Sequence, residues 1–414
     1  MPNADTQKAA LETPIETKRR GRGCLFSWQS YWIRVIIVAV AGIYLGERLD
    51  HTECWSHVRY AVYQFLQDLS WRKPYPQRTA LVLIDDEEYW KGELQARVPV
   101  KRDYLARLVT AAASANAAVI ALDFDLRSPS PDGNPREYPE YMGETKKLIE
   151  AITSAVKSGK KVVLTKTIHD EGDEEYVVES DIYEPLPPEW TNVRMGYHVF
   201  DDDSRILPPV IKTTTGQSIE PFALAIARAD NAASLENIPD LTAELYAGFL
   251  PVGKFTKISS RELLNNDKKT ELLSSKIVII SGVWHQFGYE RGYAVNSYDT
   301  PVGKIPGALI HANYLEAILD SRVYTVWKGW SLRITEFLLA LLIAIPFFVK
   351  KISKKWKTIL ITLPYLSALG LAYFSLMNFG KFFDPFIPVL SVTLHGVFEQ
   401  IMHWRALAHE RKTG

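Results

Sequence analysis

Ser331-Leu332-Arg333-Ile334-Thr335-Glu336-Phe337-Leu338-Leu339-Ala340-Leu341-Leu342-Ile343-Ala344-Ile345-Pro346-Phe347-Phe348-Val349 is the first of three apolar stretches near the end of the chain; Thr358–Asn378 and Phe386–Trp404 follow it. Each is about 20 residues of mainly Leu, Ile, Val, Ala and Phe, the length a helix needs to cross a hydrocarbon layer roughly 30 Å thick. Between the first two lies the basic loop Lys350–Lys357, which the excess of positive charge on inner loops assigns to the cytoplasm. The short connection Phe379–Pro385 folds the last two into a hairpin. A fourth apolar stretch, Trp28–Leu49, follows Lys18, Arg19, Arg20 and Arg22. Its polar leader Met1–Glu16 and the lack of a small-x-small site after Leu45 favour an uncleaved anchor over a removed signal peptide. The expected topology is a cytoplasmic tail (1–29), a first span (30–49), an outer domain (50–330) and spans at 331–349, 358–378 and 386–404. Loop 350–357 and tail 405–414 are then on the cytoplasmic side, with residues 50–330 outside the cytoplasm.

Bulk composition would hide this arrangement. The 414 residues carry a formal net charge of +0 and are 47% hydrophobic, an average that blends a polar middle with apolar ends. A neutral chain gives no support to nucleic-acid binding, which calls for a basic patch or stripe. Cys24 and Cys54 fall on opposite sides of the first span, which argues against a disulfide between them. The sequence has no GxxxxGK[ST] phosphate loop, no HExxH metal helix and no GxSxG elbow, so nothing in it argues for an enzyme, and no cofactor is expected.

The middle region alternates strand and helix signals. Ala80–Ile84, Ala118–Asp123, Val162–Lys166 and Ile277–Ser281 are short apolar runs that read as buried strands. Arg102–Ala115, Gly143–Ser158, Ile219–Arg228 and Ala308–Ser321 have apolar residues at helical spacing, and His51–Trp71 continues the first span outward as a helix. This alternation predicts an α/β domain with a mainly parallel sheet covered by helices on both faces. Asn192–Phe200 and Arg205–Lys212 flank Asp201-Asp202-Asp203-Ser204, a pattern that predicts a hairpin.

Four phrases, in order, carry a resemblance. They are Val82–Asp86, Val119–Asp125, Gly196–Asp203, and Asp299–Gly303 with Pro306–Asn313. Together they resemble the second type of CHASE domain, an extracytoplasmic sensor module of bacteria, over about Ala80 to Arg322. One span before the sensor domain and three after it also match that family's usual arrangement. The resemblance implies a sensor fold without fixing a ligand, and a place in a bacterial inner (cytoplasmic) membrane with residues 50–330 periplasmic. In the family the last span normally leads into a cyclase or a kinase. Here about ten residues follow it, so the output is expected from a separate partner.

The candidate site residues sit at strand ends and helix starts. Asp85 and Asp86 end one predicted strand, and Asp123 and Asp125 end another. In parallel α/β sheets ligands lie beyond the carboxyl ends of the strands, at a topological switch point. If these strands are neighbours, four carboxylates converge there and suit a hard cation such as calcium or magnesium; the bland alternative is that they cap helices and turns. Arg102 opens a helix and could pair with one of these aspartates. His311, early in another helix, and Thr300, followed by Pro301, are further ligand-binding candidates, although Thr300 most simply makes a turn. The last apolar stretch carries His395, Glu399 and His403 four residues apart, on one helix face.

These features predict a non-enzymatic membrane sensor. It would detect a small ligand or envelope signal and hand it to a separate cytoplasmic or membrane signalling partner. A homodimer or higher homo-oligomer in the lipid bilayer is expected by analogy with such sensors. The competing expectation is a membrane effector whose spans open a pore when the outer domain is triggered.

Overall fold

The computed structural model describes residues 52–69, 78–127, 141–170, 176–179, 184–200, 203–238, 244–265, 271–348 and 354–385, and a few isolated positions (33, 36, 37, 40, 44, 48, 181 and 404). Six strands form the main sheet: β1 (Thr79–Ile84), β2 (Val119–Asp123), β3 (Lys161–Lys166), β4 (Val193–Tyr197), β5 (Thr256–Ser259) and β6 (Ile277–Gly282). Their order is β5-β1-β6-β2-β3-β4, and every pairing is parallel. The β-branched and aliphatic runs that build them are continuous rather than alternating, as expected when both faces of a sheet are covered.

Neighbouring strands keep their side chains in layers. Leu81 lies opposite Ile279, Ile279 opposite Ala121, and Ala121 opposite Val163. The even-numbered residues Val82, Ile120, Leu122, Leu164 and Ile280 join one core with helices α1 (Arg102–Ser114) and α2 (Tyr141–Lys157), through Leu105, Leu108, Leu148 and Ile152. The odd-numbered Leu81, Val119, Ala121, Val163 and Ile279 are also buried and point to the opposite face. That face is covered by α3 (Phe222–Ala229) against β3 and β4, and by α4 (Gly307–Leu319) against β1 and β6.

Gly196 permits the close approach of α3. A Cβ there would lie 2.6 Å from the Phe222 Cα and 2.9 Å from the Ala225 Cβ. Buried from Gly307 to Ile318, α4 has no wet face, consistent with a helix enclosed by its domain.

The predicted hairpin of Asn192–Phe200 with Arg205–Lys212 does not form. Val193–Tyr197 instead adds to the sheet edge in parallel with β3. Ile206–Leu207 pairs with Leu245–Ala247, and Ile211–Lys212 pairs with Ser218–Ile219. The strand signals were correct, but the choice of neighbour was not local. Asp203 accepts hydrogen bonds from the Arg205 backbone N–H at 3.0 Å and from its Nε at 2.6 Å, tying the turn within itself. Asp201 and Asp202 lie outside the described residues.

A smaller sheet orders Ile206–Leu207, Leu245–Ala247, Val323–Val326 and Lys381–Phe382. Tyr63, on the helix Glu53–Asp68, packs its ring against that of Tyr324, with centroids 3.9 Å apart and planes tilted by 33°, and its hydroxyl donates to the Arg322 carbonyl at 2.9 Å.

Two compact units divide the chain, one of residues 60–327 with 373–382, the other of residues 1–59, 328–372 and 383–414. Trp330–Phe348 and Lys354–Phe379 are helical, over nearly all of two of the predicted spans. Among the described residues no helix is long and apolar enough to cross a membrane. The predicted span Phe386–Trp404, apart from Trp404, lies outside the described residues, as does most of Trp28–Leu49.

Candidate functional site

A cavity of about 270 Å³ lies beyond the carboxyl ends of the central strands. The strand order explains its position. β6, late in the chain, inserts between β1 and β2, so the connections on either side diverge and leave a crevice. β2 brings Asp123 and Asp125 to its rim, β6 brings Ser281 and Gly282, and the first turn of α4 brings Ala308 and His311.

Asp123 lies opposite Ser281 in the sheet register. Its Oδ2 accepts a hydrogen bond from the Ser281 hydroxyl at 2.7 Å, and its Oδ1 lies 3.7 Å from His311 Nε2. Burial pushes the His311 imidazole down to about 4, and His198 lowers it too; the nearby Asp123 carboxylate only partly offsets this. His311 is therefore neutral near pH 7. Its ring is flanked by Phe200, with centroids 4.5 Å apart, and by Phe222, at 5.1 Å.

Asp125 is differently placed. Burial would raise its carboxyl, but hydrogen bonds from the Arg127 side chain and backbone prevail and hold it below the usual carboxylate range. Arg127 donates from Nε to Asp125 Oδ2 at 2.8 Å and reaches Glu179 at 3.1 Å.

Arg102 lines the cavity; its guanidinium makes no hydrogen bond to the aspartates it could pair with, although the Asp125 charge acts on it. It donates to Thr145 Oγ1 at 2.7 Å and to the Arg127 carbonyl at 3.0 Å, and lies 3.7 Å over the Tyr141 ring. Burial drops its pKa to about 10.

The other expected site residues lie elsewhere. Asp85 Oδ1 accepts the Glu88 backbone N–H at 3.1 Å, at the start of a helical turn. Asp86 accepts the backbone N–H of His285 at 2.6 Å and of Glu290 at 2.9 Å, and its Oδ2 is 2.5 Å from His285 Nδ1. Burial alone would raise the Asp86 carboxyl, yet these bonds leave it lowered. Thr300 Oγ1 donates to the Gly303 carbonyl at 2.5 Å inside the turn of a hairpin, Ser297–Thr300 with Gly303–Pro306. The four carboxylates thus do not converge: Asp123 and Asp125 line the cavity, while Asp85 and Asp86 hold loops. Among the described residues, no group of three or more His, Cys, Asp or Glu is placed to hold a metal ion. His395, Glu399 and His403 lie outside the described residues.

A family model described as CHASE2 domain matches residues 35–345. The chain belongs to the CHASE2 domain family. CHASE2 domains are extracytoplasmic sensor domains. No match was found among curated proteins or among solved structures.

Within this CHASE2 domain the resemblance-bearing phrases divide between structure and site. Gly196–Phe200 contributes His198 and Phe200 to the cavity, and Pro306–Asn313 contributes Ala308 and His311. Asn313 is structural. Its Oδ1 accepts the Leu250 N–H at 2.6 Å, and its Nδ2 donates to the Leu309 carbonyl at 2.8 Å. His198, Ser281, Trp284 and Tyr298 also line the cavity and are not among the site residues expected from the sequence. Only His198 carried a signal, as the polar centre of a phrase between β4 and a loop. The other three reach the cavity because β6 docks between distant strands.

Proposed function

We propose that the protein is a non-enzymatic, membrane-anchored sensor whose outer α/β domain binds a small ligand in the cavity at the switch point. The observation that carries this reading is the cavity itself: a mainly apolar hollow at the carboxyl edge of a parallel sheet, with a few converging polar groups. Its location on α4 favours coupling. That helix presents Ala308 and His311 to the cavity at its first turn, and the chain then runs through Val323–Val326 into the helix Trp330–Phe348. A ligand that favours one seating of α4 biases the helix beyond it.

Exposed apolar side chains support the membrane reading. Trp330, Ile334, Leu338 and Leu342 are exposed along one helix, and Leu363, Leu366 and Phe374 along the next. Apolar surface left open in this way marks contact with a bilayer or a partner. The helices pass the signal to a separate partner through the Lys350–Lys357 loop or the Arg405–Gly414 tail, and the working unit is a homodimer.

The test is affinity purification of the tagged full chain from its host in mild detergent, with mass spectrometry of what accompanies it. A near-stoichiometric kinase, cyclase or regulator is expected, and neutralising Lys350–Lys357 or deleting Arg405–Gly414 should release it. A clean homo-oligomer that retains nothing would overturn the split-sensor reading in favour of the membrane effector.

A further inference from the structure

Building on that reading of the cavity, we propose that its ligand is a small organic cation, whose ammonium group sits on Asp123 against the aromatic walls. The charges around the cavity point this way. Asp125 is matched by Arg127, and the Arg102 guanidinium, held by Thr145, the Arg127 carbonyl and the Tyr141 face, has Glu144 and Asp125 as the carboxylates that act on its charge. Asp123 is left with a serine hydroxyl and a neutral imidazole. Among the described residues no lysine or arginine reaches its carboxylate. A mostly buried carboxylate without a cationic partner is costly, and a cationic ligand would supply the missing charge.

The walls fit the same chemistry. Phe200 meets Tyr298 edge to face with ring centroids 4.8 Å apart, and Tyr89 stacks on Trp284 at 4.0 Å. Tyr298 stands close enough to Asp123 for the carboxylate, together with burial, to raise its hydroxyl. Aromatic faces attract a cation, most strongly where water is excluded. An anion would instead meet the Asp123 and Asp125 carboxylates on the cavity wall. A hard metal ion takes about six or more oxygen ligands, usually with several carboxylates, and among the described residues no group of three or more His, Cys, Asp or Glu is placed to hold one. The volume, about 270 Å³, is just below the roughly 300–1,000 Å³ of sites for drug-sized ligands, which favours a compact molecule.

The probes are choline, tetramethylammonium and propylammonium, set against 3,3-dimethylbutanol, the uncharged isostere of choline, and propionate. Binding is measured by calorimetry on the full chain in detergent. At least one cation is expected to bind about tenfold or more tightly than the uncharged isostere. Asp123→Asn should remove that preference, while Asp85→Asn, outside the cavity, should leave it intact. If Asp123→Asn does not fold, the comparison of cation with isostere on the unaltered chain decides alone. Equal or tighter binding of the isostere or propionate, blocked when Ala308→Trp fills the cavity, would overturn the cation while leaving the cavity as the sensor's ligand site. No binding of any of the three cations at about 10 mM would also overturn it, and the partner purification would still test the sensor reading separately.

Discussion

His311 is a buried base 3.7 Å from a carboxylate, and that placement ties the domain's stability to pH. Its folded-state pKa is about 4, against an ordinary value of 6.5. As pH falls from 6.5 toward 4 the unfolded chain takes up a proton that the folded chain refuses, so stability is full above this window and declines through it. The decline amounts to as much as roughly 3 kcal/mol. Asp86 and Asp125, both lowered, act in the same direction at lower pH, where protonation removes the benefit of their hydrogen bonds. The expected outcome is that His311→Asn melts with a shallower pH dependence than the parent between pH 7 and 4.5. Parallel slopes in thermal unfolding would show that the imidazole is not the group responsible. At this scale sequence reasoning reached Asp123 and His311 as candidates but could not separate Asp123 from Asp85 and Asp86. All three follow apolar strands, and only the position of each strand's neighbours decides which carboxylate faces the crevice.

The contact of α3 with β4 depends on a missing side chain. At Gly196 a Cβ would stand 2.6 Å from one backbone atom of the helix and 3.0 Å from another, so the helix itself must move. Gly196→Ala should destabilise by about 1–3 kcal/mol and lower the melting temperature by roughly 3–10 °C. A useful control is Gly143→Ala, in the first turn of α2, where a Cβ meets nothing within 4 Å; it should be neutral or slightly stabilising. If both substitutions melted alike in calorimetry, close packing of α3 would not be the reason for Gly196. Element positions were legible because they follow local periodicity: predicted Ala80–Ile84 is observed as Thr79–Ile84, and predicted Arg102–Ala115 as Arg102–Ser114. The predicted hairpin failed because strand runs close in sequence suggest pairing. Here Val193–Tyr197 and Ile206–Leu207 join different sheets.

For the whole molecule, the expected topology puts the two cysteines on opposite sides of the membrane. Cys54 is free and exposed, while Cys24 precedes the first apolar stretch. A membrane-impermeant maleimide applied to spheroplasts should label Cys54 at once and Cys24 only after permeabilisation. The reverse pattern would put the α/β domain in the cytoplasm and remove the sensor reading.

By itself the sequence determined the strands and helices of the α/β domain, the α/β class, the apolar stretches at either end and the family resemblance. These rest on patterns of a few residues, which each segment carries whatever its neighbours are. Only the tertiary structure decided that β6 lies between β1 and β2, pairing Ser281 with Asp123 across 158 positions of chain. The same docking opened the cavity, gave it Asp123 and His311, and left Asp85, Asp86 and Thr300 to hold loops. Strand pairing over that separation is settled by how all the elements pack together, and no local pattern encodes it.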